Sequence, residues 1–468
     1  MALIFSSLLF LFTYLPVVLA VYYLTPLKWR NLMLLIANLI FYGWGEPIYI
    51  VIMFASIGID YTHGLLVEKY RDNDKKARLV VASSMFFNLA LLFFFKYYDF
   101  LADSLRGISI FSGLPRLGLE LPIGISFYTF QTMSYTVDVY RGEAKAQKSI
   151  VNFGTFVTLF PQLIAGPILQ YRDLDKQLSV REHSMEKFAS GVRVFIAGLA
   201  KKVLLANSIG MLWDVYKAMP ASSLTTAGAW LGVLAFTFQI YFDFSGYSDM
   251  AVGLGRMLGF EFMKNFNYPY ISRSITEFWR RWHISLSSWF RNYLYIPLGG
   301  NRRGKARQYL NLFVVWAATG IWHGASWNFL LWGLYFFVLL VMEKAFLLKA
   351  LEKAPRWVSH VYALFFILVG WAIFGVEELS ALGGYLAAMF GAAQGGIWCA
   401  SDGYYLMNYA VLLPVLAAAS TPLGAKLMAR LPEKAMRIAA PVLIACALVL
   451  CTAYLVDATY NPFLYFRF

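Results

Sequence analysis

Apolar runs of about twenty residues recur from one end of this chain to the other, and they restrict its fold more than any other feature. Runs of that length match a helix crossing a hydrocarbon core of about 30 Å. They fall at residues 4–24, 31–43, 47–66, 79–96, 121–140, 150–166, 190–212, 226–244, 309–322, 327–348, 357–375, 380–392, 404–419 and 437–456. Backbone groups in lipid must be satisfied within the segment, so the spans are predicted to be helices. A barrel is excluded by the pattern, since barrel strands alternate and these runs do not. Several runs are too short to cross. The expectation is one integral-membrane, all-α polytopic domain over residues 1–468, with about 11 crossings plus re-entrant and interfacial half-helices.

Composition agrees. The chain is 60% hydrophobic and 14% charged, where a soluble domain is about one quarter charged. Its net charge, 40 − 26 = +14, would suggest nucleic acid in a soluble protein. In a membrane protein, Lys and Arg collect in cytoplasmic loops and at anionic headgroups, so membrane lipids and no nucleic acid are expected. The three cysteines, Cys399, Cys446 and Cys451, make no metal spacing and no disulfide framework. Met1 to Leu24 has no basic residue before its apolar stretch, and Lys28 and Arg30 follow it. That pattern lacks the basic start of a cleavable leader and predicts a first span that ends in the cytoplasm.

Breaks in the apolar pattern are informative. Glu46-Pro47 separates two helices, because proline suits a first helical turn. Pro122 and Gly124 interrupt another run, as do Phe160-Pro161-Gln162 and Ala165-Gly166-Pro167. These serve as kink and packing chemistry or as parts of a site. The stretch Gln239 to Asp249 sets Gln239, Asp243 and Asp249 in or beside an apolar helix. Carboxylates there face a polar cavity or find cationic partners, as substrate contacts or as a structural ion pair.

The densest charge lies further on. From Arg256 to Arg307 there are ten Lys/Arg and two Glu. Ser274-Ile275-Thr276-Glu277 fits a capping box that starts a helix. On a wheel with about 3.6 residues per turn, Phe278, Trp279, Trp282, Leu286, Trp289, Phe290 and Tyr293 share one face. Arg280, His283, Ser287 and Arg291 lie on its flank. The helix either rests at the headgroups or walls a cavity, presenting Arg280, His283 and Arg291 to an anionic or polar substrate. His323 differs, being set inside an apolar run between Gly320 and Gly324. A titratable imidazole at membrane depth is costly and therefore a functional candidate, and Ser326 and Asn328 close by favour a polar pocket. The alternative is a buried histidine satisfied by a carbonyl.

Other motifs fail. Gly299 to Lys305 has the P-loop spacing, but Ala306 replaces the hydroxyl residue that holds magnesium. The five histidines show no metal-ligand spacing.

The block Phe278-Trp279-Arg280-Arg281-Trp282-His283-Ile284-Ser285-Leu286-Ser287 resembles the membrane-bound O-acyltransferase family in its bacterial alginate O-acetyltransferase-like branch. So do Tyr293-Leu294-Tyr295-Ile296-Pro297-Leu298-Gly299-Gly300-Asn301-Arg302 and Gly320-Ile321-Trp322-His323-Gly324-Ala325. The Gln239–Asp249 stretch, the Leu163–Pro167 turn and Tyr460-Asn461-Pro462-Phe463 fit the same branch. Asn292 departs from it, standing where many members carry Asp after Arg.

The resemblance implies a helical bundle around a central tunnel from a cytoplasmic donor side to an acceptor side, in a bacterial inner membrane. It implies catalytic roles for His323 and His283. Acetyl-CoA is the implied acyl donor, with no bound cofactor, and an extracytoplasmic acetyltransferase partner passes the acetyl group to a polysaccharide acceptor, alginate first. Cellulose, peptidoglycan and teichoic acid D-alanylation are the other acceptor chemistries. Around the two histidines, Arg280, Arg291, Trp279, Asn328, Gln239 and Asp243 are the candidate substrate contacts, with no metal. A transporter or channel is the competing class, given the broken helices and Asp243. Thioester consumption by the purified protein separates the two.

Overall fold

The computed structural model describes residues 3–457, 460–462 and 464. The described residues are helical with no strand. Among them, seven helices are long and apolar enough to cross a membrane: Ile50–Lys69, Asp74–Leu105, Met185–Ala218, Thr226–Met257, Trp327–Lys353, Arg356–Gly375 and Glu433–Asp457. Phe10–Leu24 and Leu379–Ala392 are shorter apolar helices. By length and composition the structure thus gives seven spans, and a count of about 11 requires shorter helices to cross as well.

The chain divides into two compact units. The first runs to Phe195 and includes Tyr247–Met263. The second comprises Ile196–Gly246 and the chain from Lys264 onward. Two of the three boundaries fall inside Met185–Ala218 and Thr226–Met257, and the third, between Met263 and Lys264, follows the latter helix.

In the first unit, the centre is Ile125–Arg141, buried along nearly its whole length. It begins directly after Gly124, where the sequence predicts a break. Its polar face meets Asp60 of Ile50–Lys69. That buried carboxylate accepts from Ser84 Oγ at 2.6 Å and Asn88 Nδ2 at 2.8 Å, while Thr132 Oγ1 donates to Asn88 Oδ1 at 3.0 Å. A buried carboxylate needs such donors, because its desolvation is otherwise uncompensated. The Phe160-Pro161-Gln162 break also appears: the helix Ile150–Thr158 stops at Leu159 (ψ 104°), and Phe160–Leu163 forms one separate turn.

The second unit is built on the close pair Lys305–His323 and Trp327–Lys353. Glycine permits their approach. A Cβ on Gly333 would stand 2.4 Å from the Trp316 carbonyl oxygen, and one on Gly320 would stand 2.4 Å from that of Phe329. Small residues at such crossings let backbones pack directly in lipid, where no hydrophobic driving force operates between helices. Arg356–Gly375 packs against the same pair, and its C-terminal carbonyls of Ile373 and Phe374 accept from Asn328 Nδ2 at 3.2 and 3.1 Å.

Candidate active site

The charged block is not the single amphipathic helix its periodicity suggests. It folds as two short helices, Ile275–Arg281 and Ile284–Phe290, broken at Trp282-His283. Trp282 is extended (φ −100°, ψ 131°) and His283 takes the left-handed conformation (φ 44°, ψ 56°). For a residue with a Cβ this costs roughly 1–2 kcal/mol, so the surroundings must impose it. They do so through Asn265, which no motif marks. Its carbonyl accepts from Ile284 N at 2.9 Å, and its Oδ1 accepts from Ser285 N at 3.1 Å and Ser285 Oγ at 2.9 Å. Asn267 N donates to the Arg281 carbonyl at 2.9 Å.

The first short helix is capped as its sequence predicts, with Ser274 Oγ accepting from Glu277 N at 3.0 Å. The Glu277 carboxylate, however, accepts from the Arg273 amide at 2.9 Å. A second clamp went unseen in the sequence. Buried Glu343 accepts from Ile275 N at 2.6 Å, Thr276 N at 2.8 Å and Thr276 Oγ1 at 2.6 Å. A carboxylate at a helix N-terminus meets both its free amides and the positive end of its dipole. Glu343 lies far along the chain, at the edge of a charged run, which offers no signal of this role.

Breaking the helix at His283 sets its imidazole at the N-cap of the second piece. Leu286 N points at His283 Nδ1 at 3.4 Å. Asn265 Oδ1, 3.3 Å from Nδ1, already accepts from Ser285 N and Oγ; with Leu286 N as the partner of Nδ1, the neutral ring carries its proton on Nε2. The residue is 1% exposed, and desolvation pushes its pKa down to about 3 against an opposing backbone hydrogen bond. His283 is therefore neutral at physiological pH, an N–H donor rather than a cation.

His283 also lines a cavity of about 630 Å³ within this unit. Trp279, Arg280, Arg291 and Lys344 line it too, with Trp316 and Thr319 from the neighbouring helix. The structure thus brings four of the sequence candidates together: His283, Trp279, Arg280 and Arg291.

His323 lies just behind. It is the last residue of Lys305–His323, 3% exposed, and does not line the cavity. Its ring packs edge-on against Trp322, Trp332 and Phe374, with centroids 5.1, 5.0 and 5.4 Å away. Two indoles connect it to the cavity wall. Trp322 lies 6.3 Å from the His283 ring. Trp332 lies 5.5 Å from Trp279. The buried indole N–H groups of Trp279 and Trp332 have no hydrogen-bond partner among the described residues.

The remaining candidates sit elsewhere. Asn328 is spent on the two carbonyls that end Arg356–Gly375. Asp243 and Lys202, each 2% exposed, form an ion pair at 2.6 Å, and Asp243 Oδ2 accepts from Leu464 N at 3.0 Å. Gln239 Nε2 donates to Tyr460 Oη at 3.4 Å. Asp243 thus sits in a structural ion pair, and Gln239 is tied to the C-terminal segment through Tyr460. The structure does not bring them to the cavity. Lys202 was not picked out in the sequence, because its partner lies a whole helix away.

These features define an all-helical, multi-pass membrane protein with a cationic, aromatic cavity and two buried imidazoles separated by one indole. The sequence model of MBOAT, the membrane-bound O-acyltransferase family, matches residues 33–379. The chain is 46% identical over 402 residues to a protein of Azotobacter vinelandii named "Probable alginate O-acetylase AlgI", covering 85% of this chain and 80% of that one. It is 34% identical over 425 residues to the peptidoglycan O-acetyltransferase of Helicobacter pylori, covering 83% and 80%. It is 28% identical over 248 residues to the teichoic acid D-alanyltransferase of Bacillus subtilis, covering 50% and 61%. The chain belongs to the membrane-bound O-acyltransferase family. It is an O-acyltransferase, an enzyme that moves an acyl group from a donor to a hydroxyl.

Proposed function

We propose that this chain is a membrane O-acetyltransferase of a bacterial inner membrane, acting as one domain, that moves an acetyl group from a cytoplasmic thioester, acetyl-CoA, toward hydroxyls of an extracytoplasmic polysaccharide. Alginate is the leading acceptor, because relatives named for alginate cover most of the chain at the higher identity. Peptidoglycan is the second choice, on the relative named for it. An extracytoplasmic partner protein completes delivery to the polymer.

One observation carries the reading: Arg280, Arg291 and Lys344 share a cavity with His283, and His323 stands one indole behind it. The cations suit the phosphates of coenzyme A, and the indoles suit its adenine. The neutral His283 Nε2–H is an oxyanion donor that costs no reorganisation when charge develops on the thioester carbonyl. His323 is the general base, a role that fits imidazole because its ordinary pKa lies near neutrality. As the acceptor oxygen attacks the carbonyl carbon, His323 takes the hydroxyl proton. The C–S bond then breaks, and the departing thiolate receives that proton. An ester and a free thiol result, with no oxidant or reductant needed. Substrate reaches His323 when Trp279 or Trp332 turns aside, a motion that no indole hydrogen bond among the described residues opposes.

The test is acetyl transfer by the purified full chain in nanodiscs supplied with acetyl-CoA and either mannuronate oligosaccharide or muropeptide. Thioester loss that depends on mannuronate supports the reading. Loss that depends only on muropeptide moves the acceptor to peptidoglycan. No thioester loss with either acceptor, or with the partner protein added, overturns it.

A further inference from the structure

The first unit carries a cationic cluster of its own. At the end of Phe10–Leu24, buried Tyr22 donates its hydroxyl to the Leu258 carbonyl at 2.7 Å. The same oxygen lies 2.8 Å from His183 Nε2 and accepts from Arg181 Nε at 3.3 Å. The Arg30 guanidinium carbon sits 4.8 Å from the centre of the Tyr22 ring, and that of Arg181 sits 4.4 Å from that of Phe260. Lys187 Nζ donates to the Gly259 carbonyl at 2.8 Å. Arg30, Arg181 and Lys187 therefore gather round one phenol and one imidazole, and no carboxylate pairs with any of them among the described residues. Their proximity is felt at His183: desolvation first, then the charges of Arg30, Arg181 and Lys187, hold its pKa below the ordinary value.

An apolar groove of about 570 Å³ ends beside this cluster. Val17 and Val21 of Phe10–Leu24 line it with Met33 and Ile36 of Arg30–Gly45, and with Thr25 and Trp29 of the turn between the two helices. Thr25 closes its end, and the Thr25 carbonyl accepts from Arg30 Nε at 3.1 Å. Leu24 and Leu27, at this end, are among the most exposed apolar side chains of the unit. A free phosphate would use the cations and leave the groove empty. A ligand with a phosphate at one end and hydrocarbon at the other uses both.

We propose that this site binds one anionic phospholipid, with its phosphate held by Arg30, Arg181 and Lys187 and an acyl chain lying in the groove between the first two helices. Cations at a membrane surface attract anionic headgroups, and the cation–aromatic stacking of Arg30 and Arg181 fixes them in place beforehand.

The test is thermal stabilisation and native mass spectrometry of the detergent-purified full chain titrated with phosphatidylglycerol, phosphatidylcholine or inorganic phosphate. Phosphatidylglycerol is expected to bind tightest, and Arg30→Gln and Lys187→Gln each to weaken it by about fivefold. Lys187 is partly exposed and anchored only to one carbonyl, so its variant keeps the test open if Arg30→Gln fails to fold. Val21→Trp, which fills the groove from an exposed position, is expected to abolish the preference. Equal retention of phosphatidylglycerol and phosphatidylcholine overturns the proposal. So does equal stabilisation by inorganic phosphate, or wild-type binding by Lys187→Gln.

Discussion

Asn265 Oδ1 lies 3.3 Å from His283 Nδ1 and anchors the turn in which that imidazole is held. The same oxygen accepts from Ser285 twice, so one side chain fixes the residue after the break as well as the break itself. Asn265→Ala is expected to leave these buried donors unmatched, at about 1–3 kcal/mol of stability. It should also slow transfer beyond what the stability loss explains, because His283 is no longer aimed. Thermal unfolding alongside transfer rates measured well below the midpoint checks this. Wild-type rates in a destabilised variant would make Asn265 a folding residue only.

The left-handed backbone at His283 separates position from chemistry. Asparagine accepts this conformation and β-branched residues do not. His283→Asn is therefore expected to fold at near wild-type yield while losing the Nε2–H donor, with transfer down by about 10²–10³-fold. His283→Val should lose roughly a further 1–2 kcal/mol of stability from backbone strain. Equal stability of the two variants would remove the strain argument.

Burial of His283 also predicts a pH dependence. The folded pKa of about 3 lies below the unfolded value of 6.5. Below pH 6.5 the unfolded chain takes up a proton that the folded chain holds only near pH 3. The full contribution is therefore present above the unfolded pKa and is lost as pH falls through that window. Acidification below pH 6.5 should lower the melting temperature of wild type more than that of His283→Asn, while the two run parallel above neutrality. Curves parallel throughout would contradict a neutral, desolvated ring.

The sequence exposed much of this because some signals are local. Long apolar runs define the spans, and Gly124 and Phe160-Pro161-Gln162 mark the breaks where backbone sterics demand them. The capping serine Ser274 is legible for the same reason. The break at His283 is not, since nothing in Arg281-Trp282-His283-Ile284 disfavours a helix; it is imposed by Asn265 from outside. Glu343 and Lys202 were missed because each finds its partner through tertiary packing, at Ile275 and Asp243, and periodicity carries no such information. Asp243 shows the limit from the other side. A carboxylate in an apolar helix demands a partner, but the sequence alone leaves a substrate and a lysine equally good answers.

The most direct test concerns His323, one indole from the cavity. Thioester consumption by His323→Ala, in protein that elutes and melts like wild type, is expected to fall by roughly 10²–10⁴-fold, the range for loss of a general base. A rate within about threefold of wild type, in protein equally folded, would contradict a chemical role for that imidazole and leave it as a packing residue among Trp322, Trp332 and Phe374.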